Sequence, residues 1–228
     1  MNLAQAPTTD VLTQLVIALS VLLIGWYVVG AQIGRREATR LAHLAAELLR
    51  PLGGQGSFRW LGSAGCEIRL NRVRKPFNTI QAVVWLEPRE MLPIWLINRW
   101  RGRRDLIALA ADLRNTPATR FELVDARSAV GRRALRKAMA WGWTAEARDF
   151  AERAMTLAAP DLASARRAVD RITTTAPFED TTPLRVAASD TSPHLSVSIA
   201  RPDALGDAGD AFALWLTLVA ETVAPAHR

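Results

Sequence analysis

The stretch Val11–Ile33, VLTQLVIALSVLLIGWYVVGAQI, runs 23 residues without a charged side chain, and Arg35 and Arg36 follow almost at once. At about 1.5 Å per residue a helix of that length spans roughly 34 Å, enough to cross a hydrocarbon layer of about 30 Å. The chain is therefore expected to have a short tail (1–10), a transmembrane helix (11–34), a juxtamembrane helix (35–52) and a folded domain (53–228). The first 33 residues hold no Lys or Arg and one acid, Asp10, whereas Arg35, Arg36, Arg40 and Arg50 come after the run. Basic residues mark the cytoplasmic flank of a span, which predicts a single-pass cell-membrane protein with its N-terminus outside and residues 35–228 in the cytoplasm. A cleaved signal peptide is the rival reading. It calls for a basic segment before a shorter apolar core, and neither is present.

The roughly 190 residues past the anchor suit one domain or two small ones and suffice to bury a core without disulfides. Cys66 is the single cysteine, in keeping with a reducing compartment. Charge is uneven: residues 35–104 carry +9 (14 basic, 5 acidic), 105–150 carry +2 and 151–228 carry −3. A positive excess next to a membrane is a footprint for anionic lipid headgroups, and equally for the phosphates of RNA, ribosomal RNA included. Only Lys75 and Lys137 are lysines. An arginine bias of that kind accompanies the alanine-rich composition of a GC-rich genome and is no functional signal here.

Helical periodicity continues past the span, with Leu41, Leu44, Ala45, Leu48 and Leu49 on one face until Pro51 and Gly53–Gly54 end it. Gly30 and Gly34 have the spacing that lets two transmembrane helices approach closely. The period then changes to two over Ser57–Leu61, Cys66–Leu70 and Thr79–Leu86, which read as strands, with Arg69, Arg72, Arg74 and Lys75 forming a basic hairpin tip. Residues Pro88–Arg104, PREMLPIWLINRWRGRR, read as a helix with Leu92, Trp95, Leu96 and Trp100 on one face and Arg99, Arg101, Arg103 and Arg104 crowding its end. Tryptophans beside arginines suit a helix lying in a membrane interface. A core helix with its arginines on the negative end of the helix dipole fits as well.

Further on, Asp105–Leu113 and Arg120–Val124 read as strands, and Ser128–Trp143 as a basic helix with Val130, Leu135, Ala138 and Met139 inward. One or two more helices are expected through Ile172, the last starting at Pro160–Asp161. The strands Pro183–Ala188 and His194–Ile199 follow, and a helix over Asp207–Ala224 closes the chain. Strands joined mostly by turns predict an α+β class with a mainly antiparallel sheet packed with helices.

Nothing in the pattern marks a catalytic centre. His43, His194 and His227 are scattered, and Cys66 has no CxxC partner, so no metal site and no cofactor are expected. Ser63 lies between glycines without forming a GxSxG elbow, and Ser63, His194 and Asp190 make only a formal triad. Glu87 and Glu90 are accounted for as caps at a helix start.

The order of elements resembles the calumin family, endoplasmic-reticulum membrane proteins of the PAT intramembrane-chaperone complex at the ribosome-bound translocon. The similar points are the apolar strand, arginine-ended helix and strand of 84–113, the strand Phe121–Val124, and the helix bearing Ala129-Val130-Gly131-Arg132-Arg133-Ala134-Leu135. The family's lysine-rich C-terminal coiled coil and luminal acidic domain have no counterpart in these residues. The resemblance implies a role in membrane-protein biogenesis and no catalytic residues. The resulting expectation is a non-enzymatic binding or adaptor protein. Its basic surface over Arg69–Arg104 meets lipid headgroups, a membrane-protein partner or ribosomal RNA. An accessory subunit of a larger membrane complex, or a membrane-bound hydrolase or transferase acting on a lipid-soluble substrate, are the alternatives.

Overall fold

The computed structural model describes residues 8–62, 65–101, 105–150, 153–174, 183–200 and 208–224. One helix, α1, runs unbroken over Thr8–Leu49 and ends in a 3-10 turn, Arg50–Leu52. The strands β1 (Gln55–Trp60), β2 (Gly65–Asn71) and β3 (Phe77–Trp85) follow, then α2 (Leu92–Trp100), β4 (Leu106–Leu113), β5 (Phe121–Val124) and α3 (Ala129–Ala140). The chain continues through β6 (Thr144–Phe150), β7 (Arg153–Ala159), α4 (Leu162–Thr173), β8 (Pro183–Ala188), β9 (Leu195–Ala200) and α5 (Ala208–Val223). The fold is α+β, a long apolar helix followed by one nine-stranded sheet in the order β1-β2-β3-β4-β9-β8-β5-β7-β6. Every pairing in it is antiparallel.

The register carries single rows of side chains across all of these strands. One row passes through Ile68, Ala82, Leu109, Val197, Val186, Leu123 and Leu157, and each of these is buried. They join one core with Leu41, Ala45 and Leu48 of α1, Val169 and Ile172 of α4, and Trp215 and Val219 of α5. The residues between them on each strand point to the other face. There Val124, Ala158 and Ala187 are buried with Ala138 of α3, apart from the main core, and α3 rests on β5, β7 and β8. The sheet therefore separates α3 from α1, α4 and α5. The four elements β8-β5-β7-β6 have the strand order of a split βαβ unit, yet its two helices cover opposite faces.

Two expectations are corrected by this architecture. Residues 144–159 form the β6–β7 hairpin and not helix, although Ala145, Glu146, Ala147 and Arg148 are a helix-favouring run. Pairing with β5 through β7 overrides that preference, and Glu146 and Arg148 then alternate onto the α4 side, where they pair with Arg166 and Asp170. In α3, Met139 is exposed, because the close approach to the sheet is made by Gly131 and Ala138. The predicted helix start at Asp207, and the candidate residues Ser63 and His227, lie outside the described residues.

Small residues and caps hold the helices down. Ser128 caps α3, its Oγ accepting from the Gly131 N–H at 2.8 Å, and a Cβ on Gly131 would collide with the Asp125 carbonyl oxygen. Asp161 caps α4, accepting from the N–H groups of Ala163 (3.0 Å) and Ser164 (3.3 Å).

Gly131→Ala is thus expected to destabilise the protein by about 1–3 kcal/mol through overpacking, although alanine is favoured by about 1 kcal/mol in an unobstructed helix. Thermal unfolding measures the sign. A second expectation concerns acid. Hydrogen bonds from Ser164, side chain first and then backbone, hold Asp161 below the usual carboxylate range. The hydrogen bond from Arg166 does the same for Glu146, helped by charge attraction from Arg166 and Arg148. For carboxyls depressed in the folded state the stabilisation is complete above the unfolded pKa of about 4 and is lost as pH falls through the folded pKa. Local opening of α4 should therefore become more frequent below about pH 4, and less steeply so in Asp161→Asn, which has no carboxyl to titrate there; hydrogen exchange corrected for its intrinsic pH dependence measures the difference.

Candidate membrane interface

Helix α1 is long and apolar enough to cross a membrane, and its most apolar 18-residue window is 0% buried in the protein. Burial begins at one edge only, with a seam through Trp26, Gly30, Gly34, Ala38, Leu41 and Ala45. The i, i+4 and i, i+3 spacing of that seam keeps one helix face on the domain while the helix rises away from it. The domain thus grips α1 inside the apolar run itself, not only beyond it.

The grip is made by the excursion between β3 and β4. These strands pair at Trp85 and Leu106, and the chain between them leaves the sheet to form α2. Its base is closed by Asp105, which accepts from the Glu87 N–H (2.8 Å) and pairs with Arg89 (2.5 Å). Both charges are largely withdrawn from solvent, with side-chain exposures of 14% for Arg89 and 3% for Asp105. The Arg89 carbonyl accepts from the Trp26 indole N–H at 2.9 Å. A Cβ on Gly30 would collide with that same carbonyl oxygen. Gly30 is therefore consumed within the chain, by the backbone of Arg89 and Glu90. Gly34 is buried, but a Cβ there would meet nothing within 4 Å. Glu87 and Glu90 do not cap α2: its N-cap is Met91, which makes no side-chain cap bond.

Helix α2 then lies along α1. Trp95 stacks against Trp26 with ring centroids 5.8 Å apart, and the Arg99 guanidinium lies 5.8 Å from the Trp95 ring. The inward seam is Leu92, Trp95 and Asn98, at i, i+3 spacing, so Leu96 and Trp100 face outward, contrary to the expected face. The most exposed is Trp100, at 90%, and Met91, Ile94, Leu96 and Ile97 are also exposed. Of the nine residues of α2 only Asn98 is buried. Helix α2 is not part of the sheet core.

Aromatic residues gather at this end of the domain. Trp60 pairs with Cys66, and Trp85 pairs with Gly65, one residue along β2; both indoles are half exposed. With Trp26, Trp95 and Trp100, five of the eight tryptophans stand where the apolar part of α1 emerges. Single-sequence reading found Trp95 and Trp100 as a unit but missed Trp26, which the α1–α2 contact brings alongside. Trp60 and Trp85 share this end of the sheet but point to opposite faces of it, since Trp60 pairs with core Cys66 while Trp85 follows core Val84.

The basic residues divide. Arg99 and Arg101 are exposed at the end of α2; Arg103 and Arg104 lie outside the described residues. The hairpin tip is elsewhere. The Arg74 N–H donates to the Leu52 carbonyl (3.2 Å) and its guanidinium to the Pro51 carbonyl (3.3 Å), placing Arg72, Arg74 and Lys75 beside the far end of α1. From Trp26 to Pro51 is about 37 Å of helix. Arg69 is exposed on β2, on the sheet face away from α1, since Ile68 faces the core. The expected continuous surface from Arg69 to Arg104 is therefore two separate surfaces.

Two members of the formal triad have partners elsewhere in the fold. His194 Nδ1 accepts from the Leu113 N–H at 3.1 Å, Asp190 pairs with Arg120, and Ser63 is outside the described residues. Among the described residues no group of three or more His, Cys, Asp or Glu could hold a metal ion. A surface depression between β6 and α4, lined by Ala147, Arg148, Asp149, Asp170, Thr173 and Thr174, is spanned by the Arg148–Asp170 ion pair. Its two threonine hydroxyls are taken by the helix backbone, Thr173 donating to the Val169 carbonyl and Thr174 to the Asp170 carbonyl.

Gly30→Ala should push α2 off α1 and lower the midpoint of thermal unfolding by several degrees, consistent with a packing cost of about 1–3 kcal/mol. Gly34→Ala should be neutral or mildly stabilising. Were the two glycines a helix-pairing motif between copies, both changes would lower dimer content alike, which crosslinking in detergent measures. The chain matches no known protein family, and no characterised protein matches its sequence.

Proposed function

We propose that this chain is a single-pass, membrane-anchored, non-enzymatic binding protein that seats its nine-stranded domain on the cytoplasmic face through α2 and the tryptophans around it. The observation that carries this reading is that α2 exposes Met91, Ile94, Leu96, Ile97 and Trp100 while lying against α1 at Trp26. Trp26 is about 10 Å of helix short of Ile33, the last residue of the apolar run. A run of about 34 Å exceeds a hydrocarbon core of about 30 Å by only about 4 Å, so Trp26 lies several ångströms inside the core and α2 runs at its boundary, where tryptophan with arginine is the usual composition. Transferring five exposed apolar side chains into the interface returns roughly 5 kcal/mol, at about 1 kcal/mol for each half-covered group. Exposed Arg99 and Arg101, followed by Arg103 and Arg104 in the sequence, add attraction to anionic headgroups.

An uncleaved anchor accounts for the seam better than a signal sequence does. Trp26 and Gly30 belong to the apolar run, yet they pack on Arg89 and Trp95 of the domain. The orientation with 35–228 in the cytoplasm rests on exposed Arg35 and Arg36 and on the basic-flank rule. Membrane-protein biogenesis, as the resemblance to the calumin family suggests, is the process we assign to such a platform, with a membrane-protein partner held beside α1.

Depth measurements test the seat. Cys66 is fully buried and its thiol is pushed up by burial, so it should not label near neutral pH, leaving introduced cysteines as reporters. A nitroxide on Leu96→Cys in the reconstituted chain should collide more with oxygen than with a water-soluble nickel reagent, and one on Gln55→Cys should do the reverse. Equal aqueous exposure at both positions would sink the reading. Labelling of Gln55→Cys by an impermeant maleimide in inverted vesicles alone reports the orientation.

A further inference from the structure

A second charged surface lies on the far side of the sheet. Between Arg127 and Trp143 the chain has five basic residues, Arg127, Arg132, Arg133, Arg136 and Lys137, and no acid. On α3 the pairs Arg132/Arg136 and Arg133/Lys137 stand one turn apart, an arrangement of like charges that weakens a helix. All four are exposed, and among the described residues none has an ion-pair partner. Helix α4 has the same length and also carries arginines, but there Arg166 pairs with Glu146, and Asp170 pairs with Arg148. Two acids beside α3, on β5 and just before the helix, are already engaged. Glu122 is held by Arg185, and Asp125 accepts from the Arg127 N–H and, through its carbonyl, from Ser128.

The end of α3 adds an aromatic platform to these charges. The last turn closes by bonds from the Trp141 N–H to Ala138 (3.1 Å) and from the Trp143 N–H to Ala138 (3.2 Å), and Gly142 takes φ +76° between them. This brings Trp141 and Trp143 side by side with centroids 5.3 Å apart. Trp141 is exposed, with the Lys137 ammonium 4.8 Å from its ring. Beside α3 on this sheet face stand Ala108, Ala110 and Ser196, small side chains that leave the helix standing proud.

We propose that the outer face of α3 with Trp141 and Trp143 binds single-stranded nucleic acid, the cations meeting backbone phosphates and the indoles stacking bases. Cations kept together without internal counter-charge favour a polyanion that displaces their diffuse counterions, and the Trp141–Trp143 pair at their end, with Trp141 exposed, favours one with planar rings. The site is separate from the membrane seat, because the sheet lies between α3 and α1.

The test uses the full chain in nanodiscs of zwitterionic lipid, with a fluorescent mixed-sequence RNA of about 20 nucleotides, at about 50 and about 200 mM salt. Saturable, salt-sensitive binding is expected. Replacing Arg132, Arg133 and Arg136 together by Gln should weaken it at least tenfold at the lower salt. The slope of log affinity against log salt should flatten by about 2, roughly 0.7 for each phosphate no longer neutralised. Trp141→Ala should weaken binding about tenfold at both salts with the slope unchanged. Arg99→Gln with Arg101→Gln, on α2, should leave RNA binding as it was, which separates this site from the membrane seat. No binding at the lower salt overturns the proposal, as does binding that the α3 variants leave intact. A silent Trp141→Ala, together with equal competition by anionic lipid vesicles or by an acidic peptide, also overturns it and makes the face a general anion surface.

Discussion

The contact between Trp26, Gly30 and the Arg89 carbonyl decides how the rest of this protein is arranged. A helix that is only an anchor could rotate and tilt freely beneath its domain. Here the carbonyl takes the Trp26 indole N–H and fills the space a Gly30 side chain would need. The same carbonyl belongs to a segment tied to the sheet by the Arg89–Asp105 pair. Removing one partner of a largely buried ion pair costs about 3–5 kcal/mol, so this tie is firm. The axial position of α1, the depth of α2 and the end of the sheet that carries Trp60 and Trp85 all follow from it.

The same constraint sorts the charge. Residues 35–104 carry a large positive excess in sequence, but β2 and β3 run the length of the buried half of α1 before returning. The hairpin that joins them is thus carried to Pro51 and Leu52. At about 37 Å from Trp26, Arg72, Arg74 and Lys75 stand several Debye lengths from anything that touches α2. A third basic surface, on α3, is set off by the sheet itself. Arg99 of α2 stands beside Trp95, and Lys137 of α3 beside Trp141 and its neighbour Trp143.

Much of this was legible from the residues. The apolar run and the change of period after Gly54 predicted α1 and the β1–β3 meander. The strands at 106–113, 121–124, 183–188 and 195–200 and the closing helix were read from their alternation and flanking turns. The β6–β7 hairpin was not, because alanine, glutamate and arginine favour helix locally and only the exposed backbone of β5 makes them a strand. The face of α2 was misread for a related reason. Its residues are apolar almost all round, so periodicity alone cannot say which three meet α1. Gly30 was recognised as a close-approach position, but its partner is a carbonyl from a loop some sixty residues on.

The sequence by itself determined local quantities: a span of sufficient length, the α+β class and a basic flank. Those depend on composition and on periods of a few residues. Tertiary structure alone decided which tryptophans form a group, which basic residues lie together and which face of α2 is inward. These depend on strand register and on contacts between residues far apart in the chain, where a shift of one position along a strand moves every side chain to the opposite face.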